Sequence, residues 1–266
     1  MKYEISEIIN GQYTVRISLD SILSPSCLEQ MKNDLENLKK NDPFICDCNG
    51  VPIIEINENI LSYTSETIFP ERLDSKKDKV LVVLGNPATH SVKHGMFYFS
   101  KLSLARHNIW KKFHDANLIK LINCSNLSNL SKMEMRETEA NERRKIILDG
   151  TTSKKYLLGL TTFYSFPTPV VKGYRFSNVE GVLKLFDPII ESINMMESKR
   201  ILDYPFTADA ILVFVQKDSY NAFEKNRTQL SNDKKYKRLL FWPSVSRQKN
   251  AKSSGKDLLE MLEKQA

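Results

Sequence analysis

Alternating apolar and polar positions predict a first part of the chain that mixes strands with one helix. Residues 13–17 alternate as a half-buried strand does, and residues 51–56 form a short predicted strand after the turn at Asn49-Gly50. Between them, residues 25–39 place four apolar side chains on one face of a helix: Leu28, Met31, Leu35 and Leu38. The charged run 71–79 follows, and it indicates a boundary after residue 74.

The remainder of the chain alternates apolar strands with amphipathic helices. Four apolar runs predict buried strands, at 80–84, 156–163, 210–215 and 238–242. Helices are predicted over about 103–116, 178–198, 219–226 and 256–264, the second one capped by Asn178 and kinked at Pro188. This rhythm predicts an α/β fold for residues 75–266, with three α/β/α layers around a central four-stranded parallel sheet. Residues 1–74 would form an acidic α+β N-terminal extension or accessory subdomain.

The segments that end these strands are candidates for a site, because ligands bind at the carboxyl ends of strands in such sheets. Gly85-Asn86-Pro87 ends the first of the four strands. Tyr164 to Pro167 follow the second, and Trp242-Pro243-Ser244 ends the last. We expect these segments to converge.

Charge is distributed unevenly between the two parts. Residues 1–74 carry 6 basic and 13 acidic side chains, whereas residues 75–266 carry 33 and 19. The last stretch, residues 217–266, has 12 basic and 6 acidic side chains. Such a basic excess indicates a polyanionic partner for the larger part, although a basic surface can also serve solubility alone.

Bulk composition narrows the class of protein further. With 41% hydrophobic and 27% charged residues, the chain can build a core. It has no run of about 18 apolar residues and no apolar segment of a secretory signal at its start, so we expect no membrane span and a cytoplasmic location. Its four cysteines lack the spacing of zinc or iron–sulfur ligands, so we expect free thiols: Cys27, Cys46, Cys48 and Cys124.

The segment 81–118 carries the most specific motif in the sequence. After the apolar strand come Gly85-Asn86-Pro87 and then Gly95-Met96-Phe97-Tyr98. Asn108-Ile109-Trp110 leads a helix that ends at Asp115 to Leu118. This segment resembles the first motif of the uracil-DNA glycosylase superfamily, above all its mismatch-specific uracil/thymine and single-strand-selective branches. Near the end of the chain, Pro243-Ser244 resembles the family's last motif, after which a loop enters the DNA.

The resemblance implies an enzyme that hydrolyses the N-glycosidic bond of uracil or a related damaged base flipped out of DNA. Asn86 would position the attacking water, and no metal or cofactor would be needed. Base-binding residues would be Gly85, Pro87, Phe97 and Tyr98. DNA-binding residues would be Ser91, Trp242, Pro243, Ser244, Arg247 and Lys249. We expect a monomer whose partner is DNA containing uracil or a modified base.

Three further observations bear on this interpretation. Trp242 stands where the family has a His or Asn that supports the leaving base, and residues 158–162 lack the family's base-reading Asn. His90 and His94 lie four residues apart without a third metal ligand, so a phosphate or base contact is expected of them. Two alternatives stay open: a non-catalytic nucleic-acid-binding protein of the same fold, and a general nucleotide-binding α/β protein in which the motif match is chance.

Overall fold

A computed structural model divides the chain into two compact units. It describes residues 3–20, 22–47, 49–99, 107–122, 129–169, 181, 184, 189–230, 236–243 and 253–264. The first unit comprises Met1–Thr67, Asn86–Phe97 and Tyr164–Asn194, and the second comprises Ile68–Gly85, Tyr98–Phe163 and Met195–Ala266. This division differs from the predicted boundary after residue 74, because two later segments of the chain group with the acidic N-terminal part.

The first unit is built on an antiparallel sheet of four strands and one long helix. The strands are β1 (Tyr3–Ile5), β2 (Gln12–Ser18), β3 (Ile54–Asn57) and β4 (Ile60–Glu66), in the order β1-β2-β4-β3. Helix α1 (Pro25–Asn41) begins at Ser24, whose hydroxyl accepts a hydrogen bond from the Cys27 N–H, and it buries Met31, Leu35 and Leu38. The predicted helix and the predicted strand at 13–17 are therefore confirmed.

The core of the first unit also takes in side chains from its two later segments. Val92, on the short helix α2 (Thr89–His94), and Phe166 are buried in the same cluster as the sheet and α1. The ring of Tyr63 packs edge-on against Phe166 with centroids 4.9 Å apart, and its hydroxyl lies 2.9 Å from Ser165 Oγ. This apolar burial explains why residues 86–97 and 164–194 belong to this unit.

The second unit contains the four-stranded parallel sheet that the apolar runs predict. Its strands are β5 (Asp78–Leu84), β6 (Tyr156–Thr162), β7 (Ile211–Phe214) and β8 (Arg238–Phe241), in the order β6-β5-β7-β8. β5 pairs on one side with β6 and on the other with β7, so that Val82 lies between Leu160 and Val213. The predicted α/β class and parallel sheet are confirmed.

The helices of the later chain agree in part with the predicted ones. They are α3 (Ile109–Asp115), α4 (Lys132–Leu148), α5 (Ile190–Asp203), α6 (Lys217–Leu230) and α7 (Gly255–Glu263), with a 3₁₀ turn at Pro205–Thr207. α4 packs on β6, α6 on β7, and α3 on α7. The predicted Asn178 cap and Pro188 kink lie outside the described residues, as do Cys48 and Cys124.

A buried arginine closes the carboxyl end of β6. Arg200 on α5 is 4% exposed, and its guanidinium donates hydrogen bonds to the carbonyl oxygens of Thr162 and, at 2.9 Å, of Phe163. It also pairs with Glu197, Nε to Oε2, at 2.6 Å. Buried carbonyl groups and buried charges both need partners. Arg200 provides the partner for the Glu197 carboxylate and for the two carbonyl groups at the end of the strand.

We expect Arg200→Met to lower the free energy of unfolding by about 3–5 kcal/mol, because a buried ion pair with Glu197 and the buried hydrogen bonds to the Thr162 and Phe163 carbonyl groups would be lost. Urea unfolding followed by circular dichroism measures the loss. The matched control is Lys155→Met, which breaks the exposed Lys155–Glu263 pair (Nζ to Oε1 3.4 Å) and should cost less than about 1 kcal/mol. Equal losses in the two variants would contradict the structural role given to Arg200.

Candidate functional site

Two hydrogen bonds within the first unit fix the side-chain amide of Asn86. Its Nδ2 donates to Thr168 Oγ1 at 2.8 Å and to the Pro87 carbonyl at 3.0 Å. The Thr168 hydroxyl in turn donates to the Pro87 carbonyl at 3.5 Å, so its lone pair faces the amide. Both amide protons are thereby engaged. Within the described residues nothing donates to Asn86 Oδ1, which is left as an oriented acceptor.

Main-chain hydrogen bonds hold this loop against the segment that follows β6. The Thr168 N–H donates to the Pro87 carbonyl at 3.0 Å, and the Thr89 N–H donates to the Thr168 carbonyl at 3.1 Å. Ala88 and Thr168 form a parallel bridge. The structure therefore brings together two of the three segments expected to converge, those after β5 and β6.

The structure corrects three predicted contacts with base or DNA. Phe97 is 2% exposed, Ser91 4% and Trp242 0%. The Ser91 hydroxyl donates to the Ala88 carbonyl at 3.2 Å, and the Trp242 indole N–H donates to the Ser254 carbonyl at 3.2 Å. The apolar rings gain more from burial than from exposure to solvent, so these side chains pack the interior and offer no surface to a ligand.

Tyr98 remains a candidate for stacking, although one face of its ring is already covered. It is half-buried and has a left-handed backbone with φ of +58°, which is uncommon for a residue other than glycine. Its ring stacks on His107 with centroids 4.2 Å apart and meets Trp110 edge-on at 6.4 Å. A base could therefore not stack on the face of Tyr98 that His107 covers.

The structure also describes two prolines among the predicted site residues. Pro87 is buried and serves through its carbonyl group, and Pro243 is half-buried after β8. Ser244, Arg247 and Lys249 lie outside the described residues.

One polar side chain at a strand end was not among the predicted site residues. Gln216 follows β7 and is exposed, and its terminal amide lies against Gly85. A Cβ atom on residue 85 would collide with the Oε1, Nε2 and Cδ atoms of Gln216. Glycine at position 85 is thus required for this close approach. The signal in the sequence was a polar residue that directly follows the third apolar run.

A separate cleft of about 340 Å³ lies in the second unit where β6 begins, at the opposite end of that strand from Arg200. It is lined by His114, Asn117, Ile119, Lys120, Thr152, Ser153, Lys154, Lys155, Tyr156 and Glu263. None of the predicted site residues lines it.

In the part of the chain that the structure describes, no three His, Cys, Asp or Glu side chains cluster as metal ligands would. No described helix is long and apolar enough to cross a membrane.

Neither the protein-family models nor the curated proteins compared with the chain give a match. Its function is therefore inferred from its own residues and from the geometry of the strand ends.

The environment of His90 bears on its predicted contact with a phosphate. The imidazole on α2 is half-buried and lies edge-on to Phe44, with centroids 6.0 Å apart. Its buried Nδ1 has no hydrogen-bond partner among the described residues. Burial lowers the pKa of His90 from its ordinary value of about 6.5, against the smaller opposing effect of the Asp42 carboxylate. An uncharged imidazole brings no positive charge to a phosphate.

We expect His90 to titrate below pH 6.5 in the folded protein, which NMR of its ring protons measures. Because the pKa is lower in the folded than in the unfolded state, the unfolded state binds more protons as the pH falls. The free energy of unfolding should therefore decrease as the pH drops below about 6.5, and His90→Gln should remove part of that decrease. A His90 pKa above 6.5 would contradict the burial described here.

Proposed function

We propose that this protein is a DNA glycosylase that hydrolyses the N-glycosidic bond of uracil or a related damaged base flipped out of DNA. The motif of residues 81–118, the basic excess of residues 75–266 and the four-stranded parallel sheet all support this proposal. The observation that carries it is the oriented amide of Asn86. Its two N–H groups are engaged, and its carbonyl oxygen is left to act on a ligand.

In the proposed reaction, Asn86 Oδ1 accepts a hydrogen bond from a water molecule placed below C1′ of the flipped nucleotide. The bond between C1′ and the base nitrogen breaks, and its electrons leave with the base as an anion. The oxygen of the water then bonds to the cationic C1′, and its proton passes to solvent. An amide is too weak a base to remove that proton early, so Asn86 contributes orientation rather than base catalysis.

We also propose finer features of the fold and of the interaction with DNA. Helices would cover both faces of the parallel sheet in three layers, with the acidic N-terminal part as an accessory element. The segment after β8, with Pro243, Ser244, Arg247 and Lys249, would contact the DNA backbone through its basic groups. The protein would act as a monomer in a reducing cytoplasm, in keeping with the free thiols of Cys27 and Cys46.

Two observations favour a second candidate function, a non-catalytic nucleic-acid-binding protein of the same fold. Arg200 closes the carboxyl end of β6, near which the family carries its base-reading Asn. Trp242 is buried where the family carries a His or Asn beside the leaving base. A chain that lacks both groups has lost two ways of assisting the departure of a base.

We expect the purified protein to create abasic sites in a labelled, uracil-containing oligonucleotide, and Asn86→Ala to slow this reaction by roughly 100-fold or more, because the water loses its acceptor. Alkaline cleavage of the strand at abasic sites measures the rate. Binding that weakens with salt, without cleavage, would favour the second candidate. Absence of both would leave the general nucleotide-binding alternative.

The orientation of Asn86 has its own test in Thr168→Val, which keeps the volume of the side chain and removes the hydroxyl that holds Nδ2. We expect kcat for base release to fall by about fivefold with little change in KM, since one hydrogen bond of about 1 kcal/mol is lost from the positioning of the amide. Thr228→Val is the matched control, because Thr228 is exposed on α6. An unchanged kcat in Thr168→Val would contradict the role given to the hydroxyl.

A further inference from the structure

The order of the parallel strands creates a crevice between β5 and β7. From β5 the chain continues to β6 on one side of the sheet, whereas from β7 it continues to β8 on the other side. Connections that leave neighbouring strands in opposite directions open a gap at their carboxyl ends. In open parallel sheets, ligands bind in that gap.

Strand register places Gln216 at this crevice. Val83 lies opposite Phe214, and the Val215 N–H donates to the Val83 carbonyl at 3.1 Å, so the pairing continues past the last residue of β7. Gln216 therefore comes beside Gly85, and its amide occupies the space that a side chain at position 85 would fill. Because the side chain is also exposed, its amide can reach a ligand from this position.

The carboxyl ends of β6 and β8 offer no comparable group among the described residues. At β6, Thr161 and Thr162 are buried, and the Arg200 guanidinium donates hydrogen bonds to the last carbonyl groups of the strand end. At β8, the strand runs into the buried indole of Trp242. Within the described residues Gln216 is thus the exposed primary amide at a strand end, whereas the amide of Asn86, after β5, is half-buried and held by Thr168.

A primary amide has the hydrogen-bonding pattern that complements the edge of uracil. The base presents a carbonyl oxygen next to an N–H group, at C4 and N3. The amide can donate from Nε2 to that carbonyl oxygen while Oε1 accepts from that N–H, which gives two parallel hydrogen bonds. Enzymes that act on flipped bases read the same Watson–Crick edge.

We propose that Gln216 is the residue that recognises the base, through paired hydrogen bonds to a carbonyl and an adjacent N–H. The proposal rests on the proposed function for the identity of its ligand, a base displaced from DNA. Gln216, at the end of β7, would thus recognise the base in place of the Asn that the family carries near the end of β6 and that this chain lacks. Gly85 is a positioning residue, since it leaves room for the Gln216 amide.

The test measures base recognition by binding, separately from cleavage. Fluorescence anisotropy gives the affinity of the full chain for three single-stranded oligonucleotides that differ at one position. That position carries 2′-fluoro-2′-deoxyuridine, its N3-methyl derivative or a tetrahydrofuran abasic analogue. The 2′-fluorine disfavours the cationic sugar and so prevents cleavage. We expect the wild-type protein to prefer the first strand over the other two.

Gln216→Ala should reduce that preference between about 5- and 100-fold, which is the range for loss of a paired hydrogen bond to a base, and leave the affinity for the abasic strand unchanged. Gln229→Ala is the matched control, because it makes the same change at an exposed position of α6, and it should keep the preference. Gly85→Ala should fold, since only the flexible end of Gln216 has to move, and should lose the preference as Gln216→Ala does. The double variant should lose no more than either single variant.

The outcomes separate this proposal from the proposed function. If the wild-type protein shows no preference for the uracil strand, or if Gln216→Ala retains it, the role of Gln216 is overturned. A further outcome is that the wild-type protein and Gln216→Ala cleave an ordinary deoxyuridine strand at equal rates. That result would support the glycosylase and overturn the role of Gln216 in it. A preference that depends on Gln216 in a protein that never cleaves would support base recognition and overturn the glycosylase.

Discussion

The double-sided pairing of β5 is the constraint on which the candidate site depends. β5 is hydrogen-bonded along one side to β6 and along the other to β7, and its residues 80–84 are buried. A strand held this way cannot shift its register without breaking its hydrogen bonds to both neighbours and repacking the side chains on both of its buried faces. The position at which the chain leaves the sheet is therefore fixed, and this places Gly85. The positions of Gln216, through β7, and Arg200, through β6, are fixed against the same strand.

The parallel strands could be predicted because a strand buried on both faces needs an unbroken apolar run, and such runs stand out in the sequence. Helix α4 could not be predicted in this way, since its buried face contains Glu139 and Arg143 beside Ala140 and Ile147. Glu139 and Arg143 form an ion pair (Oε2 to Nη2 3.3 Å), and the Arg143 guanidinium lies 4.9 Å from the Trp110 ring centre. Burial by pairing leaves no apolar stripe in the sequence. The signal that remained was the capping box formed by Ser131 and Glu134.

The candidate site was predicted from a resemblance to a family motif rather than from the residues alone. Asn86 was singled out because Gly85-Asn86-Pro87 resembles that motif, although an Asn-Pro pair after a strand also serves as a simple turn. Phe97 and Trp242 were assigned to ligands although an aromatic ring serves a core equally well, and sequence alone does not separate the two uses. Gln216 was not predicted because nothing in the sequence marks it as unusual. A single polar residue between a strand and a helix is ordinary, and only the register against Gly85 gives it significance.

The side-chain amides of Asn86 and Gln216 differ in how firmly hydrogen bonds hold them, and catalysis and binding place different demands on an amide. Recognition of a base needs an amide that can reach the ligand, and an exposed side chain such as Gln216 meets that need without further support. Orientation of a water needs an acceptor that stays in one place, because a small misplacement costs a large part of the rate. Asn86 is held by a side-chain hydroxyl and a main-chain carbonyl, and the loop that carries it is tied to Thr168 by two more hydrogen bonds. Binding alone would not require an amide fixed to this degree, so the contrast supports the roles proposed for the two residues, catalysis for Asn86 and recognition for Gln216.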